Sequence, residues 1–224
     1  MPGKGQIAIG EKLQAARRQK EISLRELATK AEMSASMLSQ IENGKAFPSV
    51  RSIYSIAAAL ELPVDYFFPS QNEVASPIAA EEMTASDLRE AHLNGGSDSS
   101  APSFDTSQQS SEMPVVHVST RPTIDLKGGV KWSRLTARAE QYAEFLEIVY
   151  ASGANSGASR SHHVGREFGL VLEGELIVEL GFERHTLCAG DSIIFDSTTP
   201  HRLSNECTKP ARAVWIVLTP DQSK

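Results

Sequence analysis

Residues 24–31 and 35–43 place two short apolar stripes at helical spacing on either side of a tight turn, and nothing else in the chain constrains its N-terminal third so strongly. Leu24, Leu27, Ala28 and Ala31 fall on one face and leave Arg25, Glu26 and Lys30 to water. Small residues on that face let another helix cross closely. Ser34 stands where an N-cap belongs, since its hydroxyl can accept from an amide that has no intrahelical partner. Leu38 and Ile41, three apart, mark the buried side of a second helix, which Gly44 ends and Pro48 keeps from resuming.

The second helix then turns Ala35, Ser36, Ser39, Gln40 and Asn43 outward. Short side chains let a helix backbone enter the major groove, and Gln40 offers the donor and acceptor pair that matches an adenine edge. Two such helices hinged by a turn predict a helix-turn-helix that reads a double-stranded DNA operator. Arg17, Arg18, Lys20, Arg25, Lys45 and Arg51 are candidates to hold phosphates. The charge balance is modest, with nine Lys or Arg against seven Asp or Glu in residues 1–70 and a net charge of −6 for the whole chain. With neither Arg nor Lys on the reading face, specificity is expected to lean on Gln40, serine hydroxyls and DNA shape.

Glu26, Leu27 and Ala28, the helix end Ile41 to Lys45, Pro48 and Ser49, and then Ile53, Ile56, Ala57 and Leu60 resemble the lambda-repressor-like (Xre) family over residues 7–68. The resemblance implies an all-α, five-helix DNA-binding domain. It assigns DNA contact to Arg25, Ser34, Ala35, Ser36, Ser39, Gln40, Asn43 and Lys45, with the second helix of the motif as base reader.

At 224 residues the chain has room for a second domain with its own core. No stretch approaches the roughly twenty apolar residues of a membrane helix, and no secretory signal precedes the first domain, so a cytoplasmic protein without membrane association is expected. Cys188 and Cys207 lack metal-site spacing and read as ordinary reduced thiols. Residues 69–113 shift to Ser, Gly, Asn, Gln and acid, a flexible linker with a candidate helix over 79–92. Eight acids against Arg89 alone in residues 70–113 would keep that tether off phosphate.

From residue 114 to 221 the period changes to two. Trp132 with Arg134, then Leu146 to Tyr150, Phe168 to Leu172, Leu176 to Leu180, Ser192 to Phe195 and Ala213 to Leu218 form short β-rich runs. Gly153, Gly157, Gly174, Gly181, Gly190 and Pro200 separate them. This spacing predicts an all-β sandwich or jelly-roll barrel. Phe168, Leu170 and Leu172 alternate with Gly169 and Val171, and both sets are expected to pack. Arg166, His117, His185 and His92 are expected at the surface.

Two segments are similar to the paired signatures of the cupin superfamily: Gly157 through His163, Glu167 and Gly174, and Gly190-Asp191 through Pro200, His201 and Asn205. The family's usual first His position is Ser161 here, and His162 has the opposite parity. The resemblance therefore leaves His163, Glu167 and His201 as ligands, two imidazoles and a carboxylate suited to divalent Fe, Mn, Ni or Zn with open positions. Alternatively the same groups line a pocket and hydrogen-bond an organic effector directly, with Arg160 pairing its acid or phosphate. Trp132 is expected to add an aromatic wall, and Arg134 a cation if its face is inward.

Xre-like helices, a serine-rich tether and a C-terminal cupin together resemble bacterial transcription factors whose barrel senses a small molecule, acting as homodimers on two half-sites. The alternative is a cupin metalloenzyme of the non-haem iron oxygenase or epoxidase kind with an accessory helix-turn-helix. The complete reading face, and the lack of a distinctive acid or base beyond the ligand set, favour a non-enzymatic regulator.

Overall fold

The computed structural model describes residues 4–69 and 115–220. The expected helix at 79–92, His92 and the linker as a whole lie outside the described residues. The N-terminal part folds as α1 (Lys4–Gln19), α2 (Leu24–Lys30), α3 (Ala35–Glu42) and α4 (Val50–Ala59). Serine opens the last three: Ser23, Ser34 and Ser49 accept from the amides of Glu26, Met37 and Ser52, each at 3.1 Å. Gly44 leaves α3 at φ +63°, a backbone state that disfavours a side chain. Leu13, Leu27, Leu38, Ile53, Leu60 and Phe67 close a dry core. Helix α1 crosses α3 so tightly that a Cβ on Gly10 would come 2.5 Å from the Ile41 carbonyl oxygen.

The five-helix expectation is corrected to four. Beyond α4 the chain makes one 3₁₀ turn, Val64–Phe67, held between Pro63 and Pro69, and prolines on both sides leave no room for a regular helix.

The C-terminal part is all-β. In chain order its strands are β1 (Thr123–Leu126), β2 (Val130–Arg134), β3 (Ala143–Tyr150), β4 (Arg166–Glu173), β5 (Glu175–Leu180), β6 (Glu183–Cys188), β7 (Ser192–Asp196), β8 (His201–Ser204) and β9 (Ala211–Leu218). An antiparallel sheet ordered β1-β2-β3-β9-β4-β7 faces a second one ordered β6-β5-β8. Alternation is clearest on β9, where Ala211, Ala213, Trp215 and Val217 point inward and Arg212, Val214 and Ile216 point out. The expectation that both faces of β4 pack is corrected. Gly169 and Val171 are buried, but Leu170 is 42% exposed, because no layer among the described residues covers that outer face.

Head and barrel meet along a seam. The Lys127 amide donates to the Pro48 carbonyl at 2.8 Å, and the Arg51 amide to that of Ser156 at 3.4 Å. Arg134 reaches out of β2 to Asp65 at 2.7 Å, both side chains buried, and gives its remaining N–H groups to the carbonyls of Thr136 and Ala137 at 3.1 Å. It is thus a pin between domains rather than a cation of the barrel interior.

Candidate metal and effector site, and candidate DNA face

Strand register brings the expected ligands together. On β4, Glu167 points inward between Phe195 of β7 and Val217 of β9. Ser161 and His201 exchange backbone hydrogen bonds at 2.8 Å, which locks the segment before β4 against β8 and delivers His163 and His201 to the same depth. Position parity holds: Ser161 is buried, His162 is exposed and His163 turns in. The Nε2 atoms of His163 and His201 lie 3.0 and 3.2 Å from Glu167 Oε1, and one potential ligand atom from each residue falls within 4.8 Å of the others.

The donor set fits a divalent cation. Glu167 Oε1 is buried, and the groups that meet it among the described residues are the two imidazole Nε2 atoms. His201 Nδ1 lies 3.0 Å from the Thr199 carbonyl, so donation there leaves a lone pair on the inward Nε2. Trp215 Nε1 donates to the other carboxylate oxygen at 2.6 Å and fixes its plane. Three acceptors meeting in a dry place call for positive charge between them. Without metal a proton supplies it. Burial lowers the His163 pKa, but the hydrogen bond and charge of Glu167 outweigh that and raise it. Burial likewise works to raise Glu167, and the two histidines with Trp215 win and lower it. His201 is lowered, mainly by burial.

Around this triad lie Trp132, Leu146, Ile148, Tyr150, Leu203 and Trp215, enclosing about 30 Å³. Trp132 lines this cavity, and its buried Nε1 has no partner among the described residues. Arg160 is not among the lining residues. Its guanidinium is half-exposed and pairs with Glu179 at 3.0 Å, an outward position on an irregular segment where strand parity gives no guide. Sequence reasoning misses Trp215 and, more consequentially, Val50 and Tyr54 of α4, which line the same cavity. No local period points from the head into the barrel.

On the head, Ser36, Gln40, Asn43 and Lys45 are exposed along and just beyond α3, as is Arg25 on α2, while Ala35 and Ser39 are half-buried. The Ser34 hydroxyl is engaged as a cap and the Asn43 amide donates to the Ser39 carbonyl at 2.7 Å. Three of the expected phosphate-holding cations have protein partners in this structure. Arg17 is tied to Glu42 at 2.6 Å, Lys20 to Glu61 at 2.6 Å, and Arg51 turns toward the barrel to Ser159. Arg18 remains exposed.

Residues 13–67 match the helix-turn-helix family model and residues 146–217 the cupin domain model. The HTH-type transcriptional regulator PuuR of Escherichia coli (strain K12) is 24% identical over 199 residues, covering 89% of this chain and 88% of that one. A crystal structure of an HTH_3 family transcriptional regulator from Vibrio cholerae shares the fold at TM-score 0.60 and 23% identity, over 96% of this chain and 97% of that chain. Apo-HppE is 18% identical at a TM-score of 0.39, the match covering 95% of this chain and 99% of that one. The chain is a transcriptional regulator that joins an Xre-like helix-turn-helix domain to a C-terminal cupin domain.

Proposed function

We propose that this regulator binds a duplex operator through α3 and that its barrel senses a small-molecule effector at a divalent metal held by His163, Glu167 and His201. Convergence of two inward Nε2 atoms on the buried Glu167 Oε1 is the observation that carries the barrel half of this reading. Fe, Mn, Ni and Zn all suit two imidazoles and a carboxylate, and three protein ligands leave positions for an effector atom. The aromatic wall of Trp132 and Tyr150 supplies apolar contact, and Trp132 Nε1 offers one hydrogen bond. Sensing rather than turnover is supported by the similarity, over most of the chain, to the transcriptional regulator PuuR.

DNA contact is proposed for Ser36 and Gln40 at base edges, with Ser34, Ala35, Ser39 and Asn43 setting the approach and Arg25 and Lys45 on phosphates. One short helix reads only a few base pairs, so two copies on half-sites a turn apart are proposed. The outer face of the larger sheet supports a homodimer through the barrel. Phe145, Ile216, Phe168 and Ile194 form one in-register apolar row across β3, β9, β4 and β7, with Ile194 50% exposed. The protein is proposed to act in the cytoplasm; among the described residues no helix is long and apolar enough to cross a membrane.

Elemental analysis of purified wild type and of His163→Ala tests the barrel half. Metal in the first and not the second is expected, and a metal-free wild type that takes up no added divalent cation contradicts it. Oxygen consumption by the ferrous-loaded protein in the absence of DNA would favour the enzyme instead.

A further inference from the structure

The wall of the barrel cavity is completed by the DNA-binding head. Tyr54 leaves α4 at the flank of its core face and lays its ring on His163, centroids 4.4 Å apart and planes 11° apart. The Trp132 and Tyr54 rings meet edge to face with centroids 5.9 Å apart, and the Tyr54 hydroxyl donates to Glu144 Oε2 at 3.0 Å. Ile53, Ile56, Ala57 and Leu60 hold the rest of α4 and its end in the head's core. A helical aromatic has few rotamers, so clearing this ring from the cavity shifts the helix that carries it.

About 30 Å³ is room for a small coordinated molecule such as water, and not for an organic effector as well as the tyrosine. We infer that Tyr54 is a specificity-determining residue of the effector site, seated over His163 where a flat group of an effector would lie, so that filling the site and keeping the head docked compete. The ligand class is a small planar molecule bearing one atom able to coordinate the metal. Coupling between the two events is reciprocal: what binds better without the tyrosine loosens the head by the same factor. The consequence reaches the reading helix, because Met37 and Gln40 of α3 face Asp125 and Lys131 of the β1–β2 hairpin across an open groove of about 780 Å³. A released head presents Gln40 without the barrel beside it.

The inference rests on the effector-site reading above, and its test needs no DNA. Wild type, Tyr54→Phe and Tyr54→Ala are loaded with Co2+, whose visible bands report ligation, and titrated with imidazole as a one-ring planar probe. Exchange of the Lys127 amide, bonded across the seam to Pro48, reports docking. Tyr54→Ala should bind imidazole about tenfold or more tightly than wild type, with Tyr54→Phe close to wild type because it keeps the ring. Imidazole should speed Lys127 exchange in wild type by a similar factor, whereas in Tyr54→Ala exchange should be fast from the start. A folded Tyr54→Ala with wild-type imidazole affinity, or Lys127 exchange indifferent to imidazole, overturns the inference. If no variant takes up Co2+, the metal reading fails instead, and the metal-free proteins decide. Acrylamide quenching of Trp132 and Trp215 and Lys127 exchange must both rise in Tyr54→Ala, and unchanged values overturn the inference there too.

Discussion

Tyr54 of the helical head and His163 of the barrel stack face to face at 4.4 Å, although they stand 109 positions apart in the chain. The contact joins the helix after the proposed base reader to a candidate metal ligand. Its neighbours on the seam divide the work of holding head to barrel, and each can be tested separately.

The Arg134–Asp65 pair should be strongly asymmetric to mutation. Burial pushes the Asp65 pKa up against the pull of Arg134, so desolvation is the larger influence on the acid. Asp65→Ala leaves a buried guanidinium without its anion and should cost about 3–5 kcal/mol in denaturant unfolding, while Asp65→Leu with Arg134→Met should recover most of that loss. Equal losses in the single and double variants would show that the pair acts through packing alone.

Trp215 and Gly169 should prove to be supports of the triad. The indole lies across Gly169, where any Cβ would fall inside the ring, and from there it donates to Glu167. Trp215→Phe should weaken metal binding by about 10–100-fold while leaving the three ligands in place. Gly169→Ala should add overpacking of about 1–3 kcal/mol to the same defect. Isothermal titration with Zn2+ measures the first effect and thermal unfolding the second.

Proton and metal should compete for one place. In the metal-free protein His163 binds its proton more tightly folded than unfolded. Its stabilisation is therefore complete below the unfolded value near 6.5 and is lost as pH rises through its raised folded pKa. Glu167 has the opposite sign, stabilising above its ordinary 4.5 and losing that contribution as pH falls through its lowered folded value. Apo stability should thus decline on the alkaline side, and metal affinity should fall as the solution is acidified into the range of His163. Denaturant midpoints and Zn2+ titrations at a series of pH values check both slopes.

Glu144 gives the seam a titration of its own. Burial pushes it up to about 7, against the Tyr54 hydroxyl and the charge of His163, with Asp65 and Glu167 adding to the rise. Undocking rehydrates it and returns it toward its ordinary 4.5, so docking should weaken as pH climbs toward and through 7. Lys127 amide exchange, corrected for intrinsic rate, should show this in wild type and much less in Glu144→Gln.

Local features are legible in the sequence and long-range ones are not. Ser34, Gly44 and the Leu38–Ile41 spacing announce α3 because caps and period are written within a dozen residues. The 3₁₀ turn at Val64–Phe67 reads as a helix only when a domain-level resemblance overrides the prolines on either side. On β6 only Leu187 is buried, so Glu183–Cys188 shows no alternation to betray a strand. Short β1 and β8 are set by their partners more than by their own residues. Parity and motif locate His163, Glu167 and His201, whereas Arg160 sits outside any strand, where neither guide applies. Tyr54 and Asp65 stand out in no local pattern, and Arg134 reads as a cation of the barrel if its face is inward, since a pin between domains leaves no periodic trace.

The most direct measurement is equilibrium binding of the intact protein to a palindromic duplex from its own promoter region, compared with random duplex of equal length at two salt concentrations. Specific binding should exceed random binding at both, and Gln40→Ala and Ser36→Ala should each lose about 1–3 kcal/mol on the specific duplex only. Equal affinity for every duplex, untouched by either substitution, would contradict the account.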